Sequence, residues 1–323
     1  MMKVQVPMWS TASDAELQFY REMGVEYISV MFHENDWDYE RVSRLQERMA
    51  KFDLKITDAG SFSVFKNPII HLGLEGRDEQ IARYNQFTTV MGQCKIPVCS
   101  LAWQPDGAVR SYKRVGEHTR GSVSGIVDME EIAKREASHG RVYSEEEIWD
   151  NFKYFLDRTL PVCEKAGVKM ALHPNDPPAA CVMGVPSLIY NSDGFKRAFE
   201  LAGNSLYLGM KLCVGCWLEG GSDFGDLMSD IKELCDDDRI LCVHFRNVDS
   251  PLPVFEEVLA EDGYADMYAI MKQLVACDCN AVISIDHGFK PIEGFGGMPG
   301  SFCYPTGFMK GLIYAAEKEL GKR

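Results

Sequence analysis

Four residues able to ligate a metal ion close four successive apolar runs: His173 in VKMALHP, Cys213 in LYLGMKLCV, His244 in ILCVHFRNV and Asp286 in AVISIDHG. They stand 40, 31 and 42 residues apart, each interval close to one strand–helix unit. Imidazole nitrogen, thiolate sulfur and carboxylate oxygen together suit Mn²⁺, Fe²⁺, Zn²⁺ or Co²⁺, with the sulfur favouring the softer ions. Singly, each has a plainer reading: a strand-end histidine as a hydrogen-bonded rim residue, Cys213 as a small buried hydrophobe, Asp286 as a turn cap. Recurrence at equivalent places in consecutive repeats favours one shared ion over four accidents. His287, beside Asp286, titrates near neutrality and is the first choice for acid–base work. Arg246 lies two residues beyond His244, hence on the same strand face, where a guanidinium can clamp a carboxylate.

Side chains from four segments meet only if those segments are neighbouring strands, which lie about 4.8 Å apart. The chain supplies them. Short β-rich runs alternate with amphipathic stretches of helical period, from KVQVPMW to AVISIDHG, and a last helix, TGFMKGLIYAAEKEL, closes the sequence. Eight strands in strict alternation with eight helices predict an α/β fold, a (β/α)₈ TIM barrel forming a single domain over residues 1–323. In such a barrel the chemistry sits where strands end. Residues 104–143 and 288–303 read as long βα loops on that face, and as lid candidates. Trp9, His33 and Trp103 close the first, second and fourth strands, where the two tryptophans suit either an apolar wall against a ligand or ordinary rim packing. Lys113, Arg114, His118 and Arg120 in the first long loop suit either an attracted carboxylate or plain solvation. CVGC at 213–216 raises a redox reading, set aside because WLEGG does not read as the helix a thioredoxin-like site needs.

The net charge of −14 repels phosphate backbones and excludes nucleic acid as a natural partner. Eleven cysteines without framework spacing fit a reducing compartment. The start, MMKVQVPMWS, carries no apolar leader, and no run approaches the ~20 residues of a membrane span. A soluble cytoplasmic protein acting on a small molecule, with no membrane partner, is expected. Whether the barrel forms a homo-oligomer is left open.

MALHPNDPP, LCVGC, CVHFRNV, the ADMYAIMK stretch and SIDHG, in this order, together resemble the mannonate dehydratase family, relatives of the xylose-isomerase-like barrel proteins. GRDEQIARYNQFTTVMGQCKIPV extends the likeness upstream, so that it covers most of residues 75–290. The resemblance implies a hydro-lyase of hexuronate degradation that uses Mn²⁺ or Fe²⁺ to remove water from D-mannonate, giving 2-keto-3-deoxygluconate. Carried over by position, the family's metal ligands fall on His173, Cys213, His244 and Asp286. Tyr304, in FCYP before the final helix, resembles in placement a tyrosine the family uses for proton transfer.

The chain departs from the pattern in several places. Asn175 stands in HPND where the family has HPDD, which makes it a substrate-facing candidate that has lost a charge. Phe255-Glu256-Glu257 replaces FHE, Gly215-Cys216-Trp217-Leu218 replaces a GSLG-like turn, and Ser284-Ile285 replaces an Arg-Pro. The family's aspartate-tryptophan-threonine-arginine segment is absent. Ligands kept while substrate-facing segments change point to a divergent member acting on another sugar acid. The alternatives are a metal-dependent sugar isomerase or epimerase on the same barrel, and a degenerate sugar-binding or scaffolding barrel.

Overall fold

Segments that alternate between period two and period 3.6 can bury both patterns at once only if strands pair inside a ring of helices. The computed structural model, which describes residues 2–286, 288–289 and 297–323, has that arrangement. Eight strands form a closed parallel barrel. In chain order they are Lys3–Trp9, Tyr27–Met31, Lys55–Gly60, Val98–Ala102, Lys169–His173, Leu208–Cys213, Ile240–His244 and Val282–Ser284. Neighbours in sequence are neighbours in the barrel, and the first strand pairs with the eighth. These are the eight runs from which the barrel is expected.

Outer helices run over Asp14–Glu22, Tyr39–Ala50, Arg77–Gln93, Glu145–Ala166, Ser192–Leu201, Leu227–Asp236, Met267–Ala276 and Gly297–Glu319. Local chemistry sets their ends. Ser13 with Glu16, and Ser144 with Glu147, form capping boxes that satisfy the first free amides. The helix Glu145–Ala166 stops at Gly167, whose φ of 68° turns the chain directly into the strand that carries His173. No helix among the described residues is long and apolar enough to cross a membrane.

The barrel interior is layered. Val98, Ala171, Cys242 and Val282 form a small apolar plug, separate from the main core between strands and helices. Two residues further along their strands, Ser100, His173, His244 and Ser284 face the same interior by the period-two rule. Gln5, Ser29, Asp58, Ser100 and Lys211 are all buried polar residues. Asp58 and Lys211 pair in register with Val98 and Cys242 of the plug, so buried polar side chains stand beside it, and the ligand candidates lie at the strands' C-terminal ends.

Three expectations need correction. Residues 104–143 are not a plain loop: Tyr112–Val115 and Val123–Asp128 form a hairpin, extended by Val254–Val258 and Asn247–Val248 into a four-stranded antiparallel sheet. The loop after the eighth strand is shorter than 288–303, because the final helix already begins at Gly297. Tyr304 therefore sits inside that helix rather than in a loop before it. And CVGC does lead into a helix, Val214–Gly220, for which Cys213 is the N-terminal flanking residue.

Gly167 has open space where a β-carbon would stand, so only its left-handed backbone resists substitution. Gly167→Ala is expected to destabilise by about 1 kcal/mol, lowering Tm by roughly 2 °C in a calorimetric scan.

Candidate metal centre and cavity

Parallel register decides which ligand candidates meet. Cys213 pairs with His244, and His244 pairs with Ser284, two residues before Asp286. The donor atoms of His173, Cys213, His244 and Asp286 all lie within 4.8 Å of one another. His244 Nδ1 is 3.0 Å from Asp286 Oδ1, and Cys213 Sγ is 3.9 Å from Asp286 Oδ2. The two imidazole rings are 5.2 Å apart. His173 Nδ1 lies 2.7 Å from the Pro174 carbonyl oxygen. A carbonyl only accepts, so Nδ1 carries the proton and Nε2 keeps its lone pair for an ion, the usual orientation of a ligating histidine. Burial alone would raise the Cys213 thiol, yet a hydrogen bond from Cys216 and the nearby Arg246 guanidinium hold it well below the ordinary thiol range. Two imidazoles, a thiolate and a carboxylate at this spacing are a donor set fit for one divalent cation.

Arg246 does not offer a free clamp. Its guanidinium pairs with Asp286 (3.1 Å), Asp176 (3.1 Å) and Glu219 (2.6 Å), all within the buried rim. It orients the Asp286 carboxylate, a ligand candidate, and neutralises the carboxylates behind it. Asp176 is shared with Arg110, at 2.5 and 2.9 Å, and Arg110 also pairs with Glu257 of the antiparallel sheet. Burial would raise the Asp176 carboxyl, but the two guanidiniums pull it far below the usual carboxylate range. Asp176, Cys216 and Glu219 also approach within 4.8 Å of one another. Arg246, paired with two of them, already supplies the positive charge there.

Gly215 permits this packing: a β-carbon there would meet Arg246 Cζ at 2.5 Å and Cγ at 2.6 Å. The glycine two residues after the ligand cysteine thus has a physical reason.

A cavity of about 280 Å³ opens over the group, with His173, His244, Asp286 and Asp176 on one side. Its other walls include Phe62, Phe65, Lys66, Ser100, Gln104 and Lys211. The apolar wall of the cavity is not made by the tryptophans. Trp9 stacks on His33 at 4.5 Å, and Phe62 lies beyond them, 6.0 Å from Trp9. Trp103 is buried against His71 and Phe152. Asn175 is buried too, and its amide is fully engaged: it donates to the Trp103 carbonyl at 3.2 Å and accepts from the Ile189 amide at 2.9 Å. It braces the loop after the fifth strand.

Tyr304, half-exposed, hydrogen-bonds to Glu261 and lies 3.4 Å from Arg120. It lines a separate cavity with Arg120 and Arg246. Of the basic residues of the long insertion, Lys113 is exposed, and three are likewise taken: Arg114 by Glu256, Arg120 by Glu261, His118 by Asp262 at 3.5 Å. They fasten the antiparallel sheet rather than face the cavity. His287 lies outside the described residues.

Lys66, Lys211, Phe62 and Phe65 are not the last residues of strands, so strand-end position does not mark them. Lys211 was readable, being two residues before Cys213 on the same strand face. Phe62, Phe65 and Lys66 sit on the third βα connection and carry no periodic signal.

The family model for D-mannonate dehydratase (UxuA) matches residues 112–317. A mannonate dehydratase of Streptococcus pneumoniae (strain 70585) is 27% identical over 319 residues, covering 88% of this chain and 85% of the relative. One of Brachyspira hyodysenteriae is 28% identical over 324 residues, covering 88% of each. The crystal structure of mannonate dehydratase from Streptococcus suis serotype 2 superposes with a TM-score of 0.86 at 26% identity, covering 99% of this chain and 96% of that one. An L-ribulose 3-epimerase structure shares the barrel at 13% identity and a TM-score of 0.66, a likeness of fold alone.

Gly215→Ala is expected to displace Arg246 from Asp286 and to weaken manganese binding about tenfold or more, as loss of a ligand's supporting partner does. Equilibrium dialysis of the variant against the parent protein reads the change.

Proposed function

Since this chain belongs to the D-mannonate dehydratase family, we propose that it is a metal-dependent dehydratase of sugar acids, with Mn²⁺ or Fe²⁺ held by His173, Cys213, His244 and Asp286. The observation that carries the reading is the convergence of those four donors from four consecutive strands, three of them (His173, His244 and Asp286) lining a cavity that lysine also lines. D-Mannonate, named for the relatives, is the first substrate to test, and its product would be 2-keto-3-deoxygluconate.

Removing water from a 2,3-dihydroxy acid takes the C2 proton, expels the C3 hydroxyl and leaves an enol that becomes the 2-keto product. When bound, the ion supplies Lewis-acid stabilisation of the negative charge that develops on the substrate's oxygens. The described residues orient the donors, shape the cavity and answer the substrate's charge; the acid–base candidate for the two proton transfers, His287, lies outside them. Arg246 keeps the Asp286 carboxylate oriented toward the other donors. His173, locked by the Pro174 carbonyl, keeps its Nε2 lone pair aimed away from that bond. Phe62 and Phe65 give the cavity an apolar wall that limits water. A single solvated group is not left to carry the acid charge of the substrate against the overall −14, because Lys66 and Lys211 lie in the same cavity.

Manganese-loaded protein incubated with a panel of hexonates is expected to release 2-keto-3-deoxy acids, to stop on chelation, and to resume when manganese is restored. Epimers or isomers formed without loss of water would contradict the reading.

A further inference from the structure

The two lysines of the cavity differ in what neutralises them. Lys211 is buried beside Asp58, its principal attractive partner, and its Nζ lies 3.2 Å from Ser100 Oγ. Asp58 is fully buried and held by Gln5 (2.9 Å), Cys242 (3.3 Å) and Ser29. In that network Asp58 answers the charge of Lys211, although Lys211, Ser100 and Ser29 also line the cavity.

Lys66 has no such counter-ion. It follows the short helix Phe62–Phe65, and its ammonium stands 5.7 and 5.9 Å from the centres of the Phe62 and Phe65 rings. Among the described residues, Lys66 forms no ion pair within 4.0 Å. Aromatic faces compensate a desolvated ammonium only partly. Burial pulls Lys66 below the ordinary lysine range, against the more distant attraction of Asp286 and Asp176. The residue is therefore a cation short of an anion, lining the cavity that His173, His244 and Asp286 also line. It arrives from the third strand's connection, whereas the donors come from strands five to eight. A molecule lying between them meets donors on one side and an ammonium on the other.

We propose that Lys66 receives the carboxylate of the substrate and so selects an acid over the corresponding neutral sugar. The proposal rests on the sugar-acid reading above and adds the residue that recognises the acid. Lys211 is the poorer receptor because Asp58 already answers its charge. Arg246 and Arg110 are unsuited because each is shared among carboxylates of the protein. A carboxylate at Lys66 gains a charge-assisted bond with little solvent to screen it, while a polyol gains only a neutral one.

The test compares parent protein, Lys66→Gln and Lys66→Arg, all loaded with manganese. Thermal-shift titrations with D-mannonate and with D-mannitol give apparent affinities without requiring turnover, and steady-state assays with D-mannonate give KM and kcat. The parent is expected to prefer the acid. Lys66→Gln is expected to lose about 30-fold in acid affinity and to raise KM by about the same factor, with mannitol and manganese affinities unchanged, and Lys66→Arg to recover most of the loss. An unchanged acid preference in Lys66→Gln, or a parent that binds both ligands equally, overturns the assignment. Loss of water by the parent with no effect of Lys66→Gln on KM overturns the Lys66 proposal alone. Acid binding that depends on Lys66 in a protein that never releases water would uphold the subsite and overturn the dehydratase reading.

Discussion

A thiolate and a carboxylate facing each other across 3.9 Å repel, and of the two imidazoles beside them only His244 answers that carboxylate, with Nδ1 3.0 Å from it. Arg246 relieves Asp286 from behind, but its charge is divided among three carboxylates. The arrangement calls for a cation at its centre. What creates it is the barrel: adjacent parallel strands are spaced about as far apart as the donors of one ion, and the register aligns Cys213 with His244. Closing the sheet and assembling the donors are one event, so an ion bound to the folded protein alone stabilises the whole barrel by mass action.

Around that centre, the acidic composition determines which cations remain for a ligand. With 48 Asp and Glu against 34 Lys and Arg, many basic side chains near the strand ends are claimed by the protein itself. Arg110, Arg114 and Arg120 tie the antiparallel sheet to acidic partners on the segment after the seventh strand. This explains why residues that look like carboxylate receptors in the sequence turn out to be fasteners. It also makes an ammonium such as Lys66, flanked by phenyl rings instead of carboxylates, stand out.

The barrel was legible because its signals are local and repeated. Each strand is a short apolar run, several helices carry their own caps, and the ligand residues fall at equivalent places in successive repeats. His173, Cys213, His244 and Asp286 could be chosen before any contact was known. What stayed hidden depends on contacts between segments far apart in the chain. Residues 112–128 look like loop because their hairpin becomes a sheet only by pairing with Val254–Val258, far along the chain. Asn175 looks substrate-facing until the Ile189 amide and the Trp103 carbonyl take up its side chain. Trp9 and Trp103 are strand-end aromatics, as expected, but Phe62 and Phe65 on a short connecting helix are what line the cavity. Lys66 belongs to the same class, since nothing in its neighbours' spacing marks it.

The central claim is that Cys213 and the three other donors bind one ion. X-ray absorption at the zinc edge, on protein reconstituted with one equivalent of Zn²⁺, tests this without reference to catalysis. The account predicts a sulfur scatterer at about 2.3 Å together with nitrogen or oxygen near 2.0–2.1 Å, with the sulfur shell lost in Cys213→Ser. A spectrum of nitrogen and oxygen alone in the parent protein, or a sulfur shell that survives Cys213→Ser, would contradict it.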